Sequence, residues 1–283
     1  MIDPPVRHVS STRVVAVRGR QLEVRADTVV GEEPLEIRAA GPGQDPVAVA
    51  VTMRTPGNED ELAVGFLRTE GLIDGPEVVA VEFGDPAILN QPDDTVIVRL
   101  ARAFDSGKVA ERHFVATASC GICGKASLDE VAVRSDPLPP GPFVDREVIL
   151  ALPDRLRADQ AVFETTGGLH AAGLFTPDGE AVAVREDVGR HNALDKLVGS
   201  QVLAGRGPLH DRVLMVSGRV SFEIIQKAAV AGIPIVCAVS APSDLAIEAA
   251  ERLGVTLVGF LRGDGFNLYS HDARIDLADL TGG

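Results

Sequence analysis

The hydrophobic pattern is sharpest in the C-terminal half. Val213–Val216, Ile233–Val239 and Val255–Leu261 are short, almost uninterrupted apolar runs. Between them, Phe222–Ala231 and Asp244–Leu253 carry apolar residues at helical spacing. Strand–helix–strand–helix–strand at this interval predicts parallel βαβ units. Strands without polar alternation are expected where both faces of a sheet are covered. Ahead of this block, Leu169–Phe175 and Glu180–Arg185 flank Thr176-Pro177-Asp178-Gly179, a strong turn signal that predicts a hairpin. A helix is then expected from around Val188, with Leu194, Leu197, Val198 and Val202 along one side.

The N-terminal half predicts strands and one helix. Gly31-Glu32-Glu33-Pro34 separates Val29-Val30 from Leu35-Glu36-Ile37 and reads as a hairpin. Val47–Met53 is a β-branched run that stops at Arg54-Thr55-Pro56-Gly57. Asn58 is placed to cap a helix whose first turn, Glu59-Asp60-Glu61, suits the helix dipole. Leu62, Gly65, Phe66 and Leu72 give it an apolar side, and Gly71 ends it. Thr95–Leu100 and His113–Ala118 predict two further strands. Pro137, Pro139, Pro140 and Pro142 mark a linker. The expected organisation is an N-terminal α+β domain over 1–140 and a second domain over 141–283.

Composition narrows the function. With 41 acidic and 27 basic residues the chain carries −14, which repels a nucleic-acid backbone at long range but leaves room for a local basic pocket. No Trp and a single Tyr argue against a stacking platform for single strands. Met1-Ile2-Asp3-Pro4-Pro5 has no basic region followed by an apolar run, and no apolar stretch reaches bilayer length, so neither a secretory leader nor a membrane span is expected. Three cysteines without a leader fit a reducing cytoplasm.

Two of those cysteines lie in Ser119-Cys120-Gly121-Ile122-Cys123-Gly124, with a glycine after each. Such a pair is open to several readings. A zinc site needs four ligands, and no second pair is available, because Cys237 lies inside an apolar strand. A thioredoxin-like pair would open a helix directly after a strand in a βαβ unit, and the βαβ region here comes later. Sulfur carriage needs an accessible thiolate that donor and acceptor reach in turn, with a second thiol nearby for exchange. The local composition suits that last reading without establishing it.

Ligand chemistry has an expected place at the carboxyl ends of the parallel strands. Ser217-Gly218-Arg219, Ser240-Ala241-Pro242-Ser243-Asp244 and Arg262-Gly263-Asp264-Gly265 follow the three strands. They read either as ordinary caps and turns or as a phosphate and base site. Thr165-Thr166-Gly167-Gly168-Leu169-His170 adds hydroxyls, glycines and a histidine. In Arg185-Glu186-Asp187-Val188-Gly189-Arg190-His191-Asn192, with Asp187 as cap, Arg190 and His191 fall in the first helical turn. Positive charge there is unfavourable unless an anion is bound or a surface ion-pair ladder answers it.

Taken together, Ser119–Gly124, Thr166–Ala172, Arg185–Ala193, Asp195-Lys196, Ser217–Arg219, Ser240–Ser243 and Gly259–Gly263 resemble the formate dehydrogenase accessory sulfurtransferase (FdhD/NarQ) family. The resemblance implies a carrier that takes sulfur as a persulfide from a cysteine desulfurase. It would deliver that sulfur to the molybdenum or tungsten bis(molybdopterin guanine dinucleotide) cofactor of formate dehydrogenase. It implies a cytoplasmic homodimer of α/β class, with a cytidine deaminase-like three-layer α/β/α C-terminal domain behind a smaller α+β domain. Cys120 would bear the persulfide, with Cys123 as its partner. Phe260, Leu261, Arg262, Gly263, Asp264 and Gly265 would form the guanine dinucleotide site, which a GDP-like nucleotide could occupy. Arg185, Arg190 and Arg219 are the candidates for its pyrophosphates, with Ser217, Ser240, Ser243, Gly167, Gly168, His170 and His191 completing the set. No zinc-deaminase chemistry is expected, since the CxxC comes before every histidine but His8 and His113 and no proline stands directly before it. The alternatives to sulfur transfer are a non-catalytic chaperone that holds and inserts the cofactor, and a zinc-stabilised interaction domain.

Overall fold

A computed structural model describes residues 8–84, 94–111, 137–278 and 280. The expected strand His113–Ala118 and both cysteines of the CxxC lie outside the described residues.

The chain opens with a two-stranded antiparallel ribbon, β1 (Val9–Arg18) and β2 (Gln21–Val30), turning at Gly19 with φ +62°. Val15 opposes Val24 and Val17 opposes Leu22, so these four share one face, and all are exposed, Val17 and Leu22 at 69% each. This corrects the expected hairpin across Gly31–Pro34. β2 pairs only with β1, while β3 (Glu33–Ala40) enters a different sheet. That sheet continues with β4 (Val47–Arg54), β5 (Val78–Phe83) and β6 (Thr95–Leu100) in the order β4-β3-β6-β5. Helix α1 (Glu59–Thr69) follows β4 and packs Leu62, Phe66 and Leu67 into its core. Asn58 precedes the helix, but its φ is +58° and its side chain makes no cap bond. Glu59 instead accepts from the Gly57 N–H at 2.6 Å. A short helix α2 covers Gly107–Glu111.

The second half begins with β7 (Val144–Asp145) and α3 (Arg146–Ala158), which Asp145 caps by accepting from the Glu147 N–H at 2.7 Å. Then come α4 (Ala161–Thr166), β8 (His170–Phe175), β9 (Ala181–Asp187), α5 (Arg190–Leu203) and β10 (Val213–Val216). They are followed by α6 (Phe222–Ala231), β11 (Ile235–Ala238), α7 (Asp244–Leu253), β12 (Thr256–Arg262), β13 (Gly265–Ser270) and β14 (Ile275–Asp276). A six-stranded sheet runs β13-β12-β11-β10-β8-β9, with β10, β11 and β12 parallel and the outer strands antiparallel. Side-chain alternation divides its core. Leu214, Val216, Val236 and Ala238 pack with α5, α6 and α7. Val213, Met215, Ile235 and Cys237 pack with Ile149, Leu152 and Leu156 of α3. Both faces are therefore covered, as the apolar strands require, and the class is mixed α/β.

The two sheets are joined by α1 against α5, and the backbones nearly touch. A β-carbon on Gly65 would lie 1.8 Å from the Asp195 carbonyl oxygen, and one on Gly199 would lie 1.8 Å from that of Glu61. Buried charge locks the same seam. Asp187 is not the cap of α5; Gly189 holds that position. The Asp187 carboxylate instead accepts from the Thr55 N–H (3.1 Å), the Gly189 N–H (2.8 Å), the Asn192 side chain (3.1 Å) and Lys196 Nζ (2.7 Å). Deeper, Lys227 Nζ donates to both Asp195 oxygens (2.9 and 3.0 Å) and to Thr69 Oγ1 (2.9 Å), and pairs with Glu70 (2.8 Å). Thr69 Oγ1 donates to Asp195 at 2.7 Å. A buried network with every group answered rigidifies the joint it spans.

Candidate functional site

Because β10, β11 and β12 are parallel and adjacent, their carboxyl ends share one edge, and backbone bonds stitch the loops beyond them. Val220 bridges to Pro242, Ser217 N donates to the Ala171 carbonyl (3.0 Å), and Phe260 N donates to the Ser240 carbonyl (3.1 Å). β8 and β9 bring His170 and Asp187 to the same edge as a register pair. Helix α5 starts there too, with Arg190 and His191 in its first turn and no acidic residue among them.

A cavity of about 450 Å³ opens at this edge. Gly167, Gly168, His170 and Ser217 line it, as does Val239 just past β11. Gly167 closes α4 with φ +66°, a left-handed cap that glycine adopts without strain. Ser217 Oγ accepts from the Ala171 N–H at 2.9 Å. Arg190, His191 and Arg219 surround His170. Burial first, then Arg190, His191 and Arg219, push the His170 imidazole below its ordinary value, against a weaker pull from Asp187. His191 is answered locally, its Nε2 lying 3.1 Å from both Ser221 Oγ and Glu223 Oε2. The Glu223 carboxyl is drawn down to about 2, first by that hydrogen bond. Arg190 Nε, by contrast, is buried with no hydrogen-bond partner. The edge is thus locally cationic on an acidic protein, which is the arrangement an anionic ligand needs.

Other expected site residues are placed differently. Arg185 is held at the seam, its Nε and Nη2 on the Glu61 carboxylate (Nη2–Oε1 2.6 Å), so it is not free for a pyrophosphate. Ser243 caps α7 by accepting from the Ala246 N–H at 3.2 Å. Ser240 is half-buried and acts through its carbonyl. Phe260, Arg262, Asp264 and Gly265 line a second recess of about 500 Å³ with Phe266 and Asn267. Phe260 has φ +52° and Gly263 turns with φ +59°. The Arg262 guanidinium stands 5.7 Å from the Phe260 ring. Leu261 alternates to the other face and is buried with Ile149 and Leu152. Cys237 is buried, and burial pushes its thiol far above the ordinary range, so it is inert as a nucleophile. Cys120 and Cys123 lie outside the described residues.

Sequence reasoning missed Leu156, Arg157, Gln160 and Phe163, which α3 and α4 bring into the cavity wall. The signal for α3 was present in Asp145 as cap and Ile149, Leu152 and Leu156 at helical spacing. It was obscured by Pro153 within the helix. Among the described residues no cluster of metal-ligating side chains occurs and no helix is long and apolar enough to cross a membrane.

Comparison with known proteins agrees with this architecture. A crystal structure of a candidate formate dehydrogenase accessory protein from Desulfotalea psychrophila superposes with a TM-score of 0.70 over 94% of this chain and 99% of that one, at 23% identity. At that identity the likeness is one of fold. The sulfur carrier protein FdhD of Streptomyces avermitilis is 48% identical, covering 94% of this chain and 95% of its own. That of Nocardia farcinica is 50% identical over 89% of each chain. That of the archaeon Sulfurisphaera tokodaii is 43% identical over 94% of this chain and 99% of its own. The FdhD/NarQ family model matches residues 30–276, from the end of the ribbon to the last strand. The chain therefore belongs to the FdhD/NarQ family.

Proposed function

We propose that the protein is a cytoplasmic sulfur carrier in the maturation of formate dehydrogenase. The observation that carries this reading is family membership along nearly the whole chain, with relatives named as sulfur carrier proteins. The Cys120 thiolate attacks the outer sulfur of a desulfurase persulfide. The new S–S bond forms on Cys120, the old one breaks, and the desulfurase cysteine leaves as a thiolate. On delivery the Cys120 S–S bond breaks with its electron pair passing to Cys120 as thiolate, and the outer sulfur leaves as sulfane sulfur to the reduced metal of its cargo, the bis(molybdopterin guanine dinucleotide) cofactor, which would supply the two electrons that make it a sulfido ligand. Cys123 is the neighbouring thiol for exchange. The burial of Cys237 supports leaving the chemistry to this pair. The cofactor is cargo, held at the carboxyl edge of the six-stranded sheet. Arg190, Arg219 and His191 face its diphosphates, with the Ser217-Gly218-Arg219 loop beside them.

The carrier works as a homodimer through its ribbon. Val15, Val17, Leu22 and Val24 form an exposed apolar face on a two-stranded sheet, an element that is marginal alone. Arg13, Arg18, Arg20 and Arg25 outnumber Glu23 and Asp27 on it, in a chain of net charge −14. The ribbon of one copy is therefore complementary to the acidic body of another.

Mass spectrometry after incubation with a desulfurase and cysteine tests the transfer. The wild type gains one sulfur, about 32 Da, on Cys120, and Cys120→Ala does not. An adduct of the same size on Cys120→Ala removes that residue from its role. In cells, a Cys120→Ala protein that still activates formate dehydrogenase would favour the chaperone that only holds cofactor.

A further inference from the structure

Gln160 joins α3 to α4. Its backbone is used in that joint: the N–H donates to the Arg157 carbonyl at 3.3 Å and the carbonyl accepts from the Glu164 N–H at 3.0 Å. Its side chain is different. Gln160 is 5% exposed, lines the 450 Å³ cavity, and its Nε2 has no hydrogen-bond partner. Buried amide donors are almost always paired, so an unpaired one calls for an explanation. Of the cavity's lining, Leu156, Phe163, Leu169 and Val239 bring no side-chain acceptor, and Ser217 and His170, which carry acceptor atoms, do not bond it.

The rest of the cavity describes what would supply one. Its volume suits a small ligand, and its lining is mainly apolar with a few polar groups, as ligand pockets are. Arg157 lies 4.2 Å from the Phe163 ring, a flat cationic surface on which a planar ring can stack. At the cavity's edge stand His170 and its neighbours His191 and the cationic Arg190 and Arg219, which suit an attached phosphate. A planar ring with a carbonyl acceptor, tied to an anion, fits all three features.

We propose that this cavity seats a heteroaromatic ring bearing a ring carbonyl, and that Gln160 is the residue that reads the carbonyl. The proposal rests on the reading of this edge as a cofactor-holding site and adds a subsite apart from the Phe260–Gly265 recess. Guanine and pterin share the required chemistry, a 2-amino-4-oxopyrimidine edge. Adenine places an amino donor where they place the carbonyl, so the Gln160 amide could answer it only by flipping to present Oε1, against the orientation it holds here.

Isothermal titration of the full chain with GDP, IDP, ADP, biopterin and inorganic pyrophosphate tests this. IDP keeps the carbonyl and lacks the 2-amino group, so it isolates the carbonyl without any mutation. The wild type binds GDP and IDP about tenfold more tightly than ADP. Gln160→Leu brings the three within about threefold of one another and leaves pyrophosphate binding unchanged. If the pterin is the ring that is read, biopterin binds in a Gln160-dependent way and competes with GDP. If guanine is read, biopterin does not compete. Equal binding of GDP, IDP and ADP by the wild type, with no Gln160-dependent biopterin binding, overturns the proposal, as does a Gln160→Leu protein that keeps the GDP preference. Failure of the wild type to bind any nucleotide, pterin or pyrophosphate overturns the cofactor-holding reading itself as well.

Discussion

Replacing Lys227 by methionine tests whether buried charge holds the seam between the two sheets. The ammonium is 4% exposed and answers Asp195 through both oxygens, at 2.9 and 3.0 Å, and Glu70 at 2.8 Å. Methionine keeps most of the volume and the packing against Phe66, so the change is chiefly one of charge. It leaves Asp195 buried with only Thr69 Oγ1, at 2.7 Å, among these donors. Removing one partner of a buried pair costs about 3–5 kcal/mol. With an unfolding entropy of about 2.1 cal/mol/K per residue over 283 residues, each kcal/mol lowers Tm by about 1.7 °C, so the expected fall is about 5–9 °C. The deficit also depends on pH. Burial already holds the Asp195 carboxyl above the usual carboxylate range, and Lys227 pulls it back. Without Lys227 it rises further, so the folded state binds that proton more tightly than the unfolded chain does. Stability relative to wild type is then gained as pH falls and lost as pH rises through the raised value. Thermal melts by circular dichroism at about pH 8 and about pH 6 should show the larger deficit at the higher pH. Asp195→Asn in the same background should recover about 2 kcal/mol at the higher pH, since no charge remains to be buried. A Lys227→Met deficit under about 1 kcal/mol, or one of equal size at both pH values, would refute the reasoning.

Three further outcomes follow from other parts of the molecule. Gly65→Ala should cost about 3 kcal/mol in denaturant melts, near the upper end for overpacking, because the atom its β-carbon meets is the Asp195 carbonyl oxygen rather than a movable side chain; a neutral result would mean that α1 and α5 cross further apart. NMR titration of His170 should place its imidazole below the ordinary histidine value, and Arg190→Ala should raise it by removing the largest of the cationic contributions; a diphosphate bound at the edge should raise it too. If the proposed homodimer forms through the ribbon, Val17→Asp with Leu22→Asp should yield a folded monomer by light scattering, with the circular dichroism spectrum otherwise kept; a dimer that survives both changes would place the interface elsewhere.

The parallel block was legible because its information is local. Val213–Val216, Phe222–Ala231 and Asp244–Leu253 have the same bounds in the structure as in the sequence pattern. In each, consecutive residues carry the whole signal, an apolar run or a helical stripe. The strand-end loops were legible for the same reason, since a parallel sheet necessarily gathers its carboxyl ends at one edge. Pairing between distant segments was not. The turn at Gly31–Pro34 looked like a hairpin, but turn chemistry does not choose a partner strand. β2 closed on β1, and β3 went to β4 and β6. The site showed the same division. Gly167, Gly168 and His170 were marked by local composition and Ser217 by its place at a strand end, whereas Gln160 and Phe163 became cavity residues only when α3 folded across the sheet.

Arg185 and Asp187 carry the lesson furthest. In the sequence they are charges beside a helix start, suited to a ligand or a cap. Their roles were settled by Glu61 and Thr55, more than a hundred positions earlier in the chain. The sequence by itself determined which segments become helices and strands, because those depend on neighbours within a few residues. Only the tertiary structure decided which charges are spent on holding the protein together and which remain for a ligand, because a buried charge is defined by whatever distant group answers it.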